Sequence, residues 1–137
     1  GVKMRQVFIN LAVMNLEPSL ALYQAMGFSI NPQFSDDTAK CMVWSEHIFV
    51  MLMTHEKMQT FTQKNLADTR GAVAALYALS VGSVDEMNTV ADKAIAAGAI
   101  EPKPLQNYGF MQLRTLEDFD GHTWEIFYMD MAQAPQE

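Results

Sequence analysis

Apolar and polar positions alternate along Gln6–Val13, QVFINLAV. Val7, Ile9, Leu11 and Val13 fall on one side of an extended chain, and Phe8, Asn10 and Ala12 on the other. The pattern predicts a strand whose aliphatic side meets a core layer. The period then changes. Leu22 and Met26, with Leu16 or Leu20, recur at helical spacing; Asn15 suits the N-cap, Pro18 the first turn and Gly27 the stop. Three extended stretches follow, FSINPQF, KCMVW and HIFVMLMT, with Ser45–His47 as the turn between the last two. Residues 55–74 are polar and mixed, which predicts a linker carrying a short helix. A second run of elements begins with the strand ALYALSV, Ala75–Val81. Ser83 and Glu86 have capping-box spacing and open a helix that should run to about Ala97 and stop at Gly98. Its apolar positions include Val84, Met87, Val90, Ala91 and Ala94. Pro102 and Pro104 suit an edge or turn. GFMQLRTL, the turn EDFDG and HTWEIFYM then complete the second run.

The two runs repeat one another. LAVMNLEPSLALYQAMGF aligns with LSVGSVDEMNTVADKAIAAGA, so that Val13 meets Val81, Leu16 meets Val84, Glu17 meets Asp85 and Gly27 meets Gly98. The second segment is longer by about one helical turn. Ile9, Leu11 and Val13 map onto Tyr77, Leu79 and Val81, a helix-facing set. Phe8, Asn10 and Ala12 map onto Leu76, Ala78 and Ser80 on the other face. In the last strand Trp124, Ile126 and Tyr128 form the bulky set, leaving Thr123, Glu125 and Phe127 opposite. Each half is therefore expected to have one sheet face covered by a helix and one left open. The expected organisation is a single α+β domain over residues 1–137, with one module at about 4–55, a linker at about 56–74 and a second module at about 75–131.

Composition narrows the function. A hydrophobic content of 50% is ample for one core, and no apolar run approaches the roughly 20 residues of a bilayer crossing. No charged-then-apolar leader opens the sequence, from which no signal peptide is expected. Cys41 is the lone cysteine and has no internal disulfide partner, which favours a reducing compartment, the cytoplasm. A net charge of -7 without a basic stripe argues against a nucleic-acid partner and would suit a cationic ligand. The 11 methionines suit core filling or an adaptable apolar cavity.

Glu125 is the residue that needs an explanation. A carboxylate within a largely apolar strand requires a partner or a task. It reads as a metal ligand, a general base, or a structural group bonded to a neighbour. Asn10 shares the open-face parity. His122 suits a turn-stabilising role, His47 and His55 suit the surface, and Asp118, Asp120 and Gly121 suit the hairpin. Tyr23 and Tyr108 are open between lining a mouth and packing. Gly-rich phosphate loops, a nucleophile elbow, HExxH and a Cys–His couple are all absent from the sequence.

The repeat, together with INLAVMNLEPSLALYQAMGF, CMVWSEHIFVMLMT and LRTLEDFDGHTWEIF, resembles the vicinal oxygen chelate superfamily. That superfamily includes glyoxalase, bleomycin-resistance, fosfomycin-resistance and extradiol dioxygenase proteins. The likeness runs over nearly the whole chain and departs from the family pattern at Phe119, where proline is usual. It implies paired βαβββ modules whose mixed sheets cup a cavity, often completed by a homodimer. It also implies one divalent metal held by His, Glu or Gln from both modules. Carried over residue by residue, the ligand positions fall on Phe8, near Met51, on Leu76 and on Glu125, and only Glu125 suits a metal. The resemblance places Phe8, Asn10, Phe49, Met51 and Met53 on the cavity face of the first module. Leu76, Met111, Leu113, Thr115 and Phe127 join Glu125 in the second, which sends Arg114 to solvent or an interface. The expectation is a glyoxalase-related protein with a degenerate metal site. It would have no firmly bound cofactor, with at most a weakly bound divalent metal, and a small-molecule ligand in an apolar cavity. The alternatives are a metal-dependent lyase or dioxygenase using Glu125, or a bleomycin-resistance-like protein that sequesters a drug.

Overall fold

The computed structural model describes residues 4–135. The chain divides between Asp68 and Thr69 into two compact units, each built on a four-stranded mixed sheet.

The first unit runs β1 (Val7–Val13), α1 (Leu16–Met26), β2 (Ser29–Asn31), a single 3₁₀ turn at Pro32–Phe34, β3 (Ala39–Val43), β4 (Ile48–Thr54) and the short helix α2 (His55–Gln59). Its sheet order is β1-β4-β3-β2, with β1 parallel to β4 and the other pairs antiparallel. Leu11, Val13, Met42, Val50 and Leu52 are buried on one face, where α1 packs against β3 and β4. The stripe of α1 differs from expectation: Ser19, Leu22, Tyr23 and Met26 are buried, whereas Leu16 and Leu20 are only half-buried. Tyr23 packs edge-on to Phe28 with ring centroids 5.5 Å apart, so it belongs to the core. Asn15 takes the N-cap backbone position without a side-chain cap bond, and Gly27 ends the helix at φ 121°.

Ser19 is a polar group among these apolar neighbours. Its hydroxyl is buried without a hydrogen-bond partner among the described residues. Because it gains no bond to offset its desolvation, Ser19→Ala is expected to raise stability by up to about 1 kcal/mol, read as an increased urea midpoint at unchanged m. A loss of 1 kcal/mol or more on the same scale would show that the hydroxyl is satisfied.

The second unit runs β5 (Leu76–Ser80), α3 (Val84–Ala96), β6 (Gln106–Asn107), β7 (Met111–Glu117) and β8 (Thr123–Met129), in sheet order β5-β8-β7-β6. The Ser83 hydroxyl accepts from the Glu86 N–H at 3.0 Å. The Glu86 carboxylate reaches one residue further back than in the usual reciprocal cap and accepts from the Gly82 N–H at 2.8 Å. Met87, Val90, Ala91 and Ala94 are buried on α3, which packs against β7 and β8 over Leu116, Trp124 and Ile126. Phe119, where the resemblance expects proline, lays its ring against the end of α3. A Cβ on Gly98 would lie 2.7 Å from Phe119 Cε1.

The strand registers make the repeat explicit. Asn10 pairs with Met51 on β4 as Ala78 pairs with Glu125 on β8. On the other side of the same strands, Cys41 pairs with Met51 as Thr115 pairs with Glu125. One step along, Lys40 opposite Leu52 corresponds to Arg114 opposite Ile126, both on the helix-covered face. Lys40 lies 3.9 Å from Glu17 of α1. Arg114 corrects the expectation of a solvent or interface residue. Its side chain is 12% exposed, and it donates from Nε and from a terminal nitrogen to the two oxygens of Glu101, at 2.9 and 3.0 Å. Its remaining nitrogen reaches Asp92 on α3 at 2.8 Å and Asn88 at 3.1 Å. The Glu101 hydrogen bonds push the Arg114 pKa above its ordinary value, so the charge is held throughout the accessible pH range. The parity of the strand sent Arg114 to the face opposite Thr115, as expected; what that parity did not show was that the helix covers it.

Candidate functional site

The open face of each sheet is described by its own unit. In the first, β1 and β4 bring Phe8, Asn10, Phe49, Met51 and Met53 onto one face. Phe8 and Phe49 are register partners and stack with centroids 4.4 Å apart and planes 10° from parallel. Phe8 is 50% exposed, at the sheet edge, whereas Met53 is buried. Cys41 completes the row beside Met51, and burial pushes its thiol pKa up, so it is a poor nucleophile at neutral pH. This face is apolar apart from the Asn10 amide and the edge polar groups of β2.

The second open face has a different chemistry. Leu76, Ala78 and Ser80 come from β5, Thr123, Glu125 and Phe127 from β8, and Met111, Leu113, Thr115 and Glu117 from β7. Leu76 is 57% exposed on the edge strand, and Leu113 is buried. Glu125 lies on the strand between β5 and β7, half-buried, with Ala78 on one side and Thr115 on the other. Among the described residues it makes no hydrogen bond and no ion pair. Thr115 is 6% exposed, and its hydroxyl also has no hydrogen-bond partner among them. The Thr115 hydroxyl departs from the rule that buried polar groups are paired, and the half-buried Glu125 carboxylate lies beside it.

At the positions where the resemblance implies metal ligands, the first unit carries Phe8 and Met51 and the second Leu76 and Glu125, and no group of three or more His, Cys, Asp or Glu residues able to hold an ion occurs among the described residues. Asn10 has Met51 as its cross-strand neighbour. His122, expected to stabilise its turn, is buried in that turn, where its main-chain N–H donates to Asp118 Oδ1 at 2.9 Å. His47 is exposed and sits against Glu46 and the Arg5 carbonyl, and His55 is exposed at the start of α2. Tyr108 is exposed in the loop before β7.

The acidic turn holds more than a hairpin. Asp118 Oδ1 accepts from the N–H groups of both Asp120 and His122, at 2.9 Å each. Thr69 Oγ1 donates to the Asp120 carbonyl at 2.6 Å, which ties the segment entering the second unit onto the turn. Gly121 has φ 83°, and a Cβ there would lie 2.2 Å from the Thr69 carbonyl oxygen and 2.6 Å from Arg70 Cα. Beside this strap is an open cleft of about 210 Å³, lined by Thr69–Val73, Glu117, Gly121 and Thr123. It shares Glu117 and Thr123 with the open face and includes none of Leu76, Met111, Leu113, Thr115, Glu125 or Phe127. Burial and the nearby Asp118 charge raise the pKa of Tyr77, whose ring meets Trp124 at 5.0 Å under the same turn. The sequence signal for the strap was Gly121 itself, readable as a hairpin glycine without any sign of what would lie against it.

This architecture is the glyoxalase/bleomycin-resistance/dioxygenase fold. No family model matches the sequence, and no curated protein sequence is significantly similar to it. Solved structures share its fold at low identity. A hypothetical protein, SA1046 from S. aureus, superposes with a TM-score of 0.76 at 23% identity, over 93% of this chain and 95% of that one. A glyoxalase-related enzyme from Fulvimarina pelagi has a TM-score of 0.76 at 21% identity, covering 91% and 88%. The fosfomycin resistance protein FosX from Listeria monocytogenes has a TM-score of 0.67 at 17% identity, covering 99% and 96%. These likenesses establish a shared fold, and fold alone does not assign chemistry.

Proposed function

We propose that this chain is a metal-independent small-molecule binder on the glyoxalase/bleomycin-resistance/dioxygenase fold, with its ligand on the open face of the second sheet. The observation that carries the reading is the immediate surroundings of Glu125. Its cross-strand neighbours are Ala78 and Thr115, and the other positions at which the resemblance implies ligands are Phe8, Met51 and Leu76. A single carboxylate among water molecules holds a divalent ion loosely, since structural and catalytic sites draw on three or four protein ligands. An apolar face with a few unsatisfied polar groups is instead the usual form of an organic-ligand site.

The test is metal content and metal-induced thermal shift, on protein purified without chelator or metal-binding tag. Nickel, zinc, manganese and ferrous iron are each expected to leave the midpoint unchanged, in wild type and in Glu125→Ala alike. About one equivalent of tightly held metal, lost in Glu125→Ala, would overturn the reading and favour the metal-dependent lyase or dioxygenase.

A second reading, an enzyme using Glu125 as a general base, draws on that carboxylate's having no hydrogen-bond or ion-pair partner among the described residues. It predicts exchange of a substrate proton adjacent to a carbonyl that Glu125→Gln abolishes without weakening ligand binding.

A further inference from the structure

The strand residues on the second open face carry charge of one sign, with Arg70 lining the cleft that Glu117 shares at one end. Glu117 and Glu125 both point from it, on neighbouring strands, and the pairing of Glu117 with Thr123 and of Thr115 with Glu125 makes them diagonal neighbours. Two carboxylates so placed repel one another unless a positive group lies nearby. The strands that make this face contribute a single basic side chain, Arg114, and it is committed on the opposite face to Glu101 and Asp92. The Glu125 carboxylate accepts only, and it has no donor among the described residues. Beside it is the Thr115 hydroxyl, more than nine-tenths buried and unpartnered, able to accept one hydrogen bond and donate another. Phe127 is two residues along the strand from Glu125 on the same face, with Leu113 as its register partner.

From these placements we propose that the ligand is an organic cation, a protonated amine on an apolar body. The ammonium donates to the Glu125 carboxylate and to Thr115 Oγ1, and the apolar body lies along Leu113 and Phe127. A charge-assisted bond to Glu125 satisfies the carboxylate without a protein cation. The Phe127 ring adds a favourable face for the positive charge. The comparison with the first unit supports a specific rather than a general role. There the equivalent positions are Met51 and Cys41, which offer neither charge nor a strong acceptor. The polar pair is thus a feature of one repeat, whereas a requirement of the sheet itself would appear in both.

This inference rests on the metal-independent reading and narrows it. The experiment uses the full chain, isotopically labelled, with three aromatic probes of similar size: phenethylamine, phenethyl alcohol and 3-phenylpropanoate. Amide shifts are followed at millimolar concentration, where fragments of this size bind. Phenethylamine is expected to shift the amides of Leu113–Thr115 and Glu125–Phe127, the alcohol to bind roughly tenfold more weakly, and the carboxylate not to bind. Glu125→Gln is expected to weaken the amine by roughly tenfold or more while leaving the alcohol unchanged, and Thr115→Val to weaken it less. Thr115→Val nearly conserves volume, so it separates the hydroxyl from packing. Equal binding of amine and alcohol, or amine binding indifferent to Glu125→Gln, would overturn the cation assignment and leave the apolar site standing. No shift from any of the three probes would overturn both.

Discussion

Gly121→Ala is expected to destabilise the protein by about 3–5 kcal/mol, enough to leave a marginally stable chain partly unfolded. Two causes act together. The residue has φ 83°, where a side chain is strained, and its Cβ would fall 2.2 Å from the Thr69 carbonyl oxygen. That oxygen is main chain, so no rotamer change relieves the contact. Either the strap at Thr69–Arg70 lifts, losing the Thr69 hydroxyl bond to Asp120, or the turn opens and Asp118 releases the N–H groups it caps. Gly109→Ala is the control. It shares a positive φ of 84° but has open space where its Cβ would go, so about 1 kcal/mol is expected. Urea titrations of both variants check the difference, and equal losses would show that the close approach of the strap costs nothing.

Arg114→Ala is the second large effect, expected at about 3–5 kcal/mol. The guanidinium is 12% exposed and forks onto both oxygens of Glu101, so removing it strands a carboxylate that is itself only 23% exposed. Asp92 contributes less, being 68% exposed and open to screening by salt. Arg114→Lys should recover part of the loss, since an ammonium supplies the charge without the planar fork. A double-mutant cycle with Glu101→Gln reads the coupling directly. A cost for Arg114→Ala below 1 kcal/mol would mean that the pair is as weak as an ordinary surface bridge.

The two effects show which parts of the molecule were readable in the chain. Strand and helix periods were, because one face of each sheet is covered: Leu11, Val13, Leu79 and Ile126 alternate with residues of the open face, and that alternation is dictated by the pleat. The helix ends were readable too, at Ser83, Gly27 and Gly98, since caps and positive φ select few residue types. Glu125 stood out by contrast with its strand. That it would have no partner among the described residues did not, since pairing depends on the register that sets Ala78 and Thr115 beside it. The Thr69 strap and the Arg114 latch were hidden for the same reason. Each joins residues far apart in sequence: Thr69 with Asp120, and Arg114 with Asn88. No local period records such a meeting. Tyr23 was open between lining a mouth and packing, and it packs edge-on to Phe28.

The stacked pair on the first sheet has a bearing on how this chain could change over evolutionary time. Phe8 stands where the resemblance implies a metal ligand, but its ring also covers Phe49, at a centroid distance of 4.4 Å. Replacing Phe8 by histidine would surrender an aromatic contact worth about 0.5–1.5 kcal/mol beyond its buried area. It would also leave Phe49 bare, and with Met51 and Leu76 still in place no metal affinity would be gained in return. A histidine at this position would therefore cost the stacked contact before any second replacement was made. The aromatic pair thus works against the single step from Phe8 to histidine, whatever the rest of the face carries.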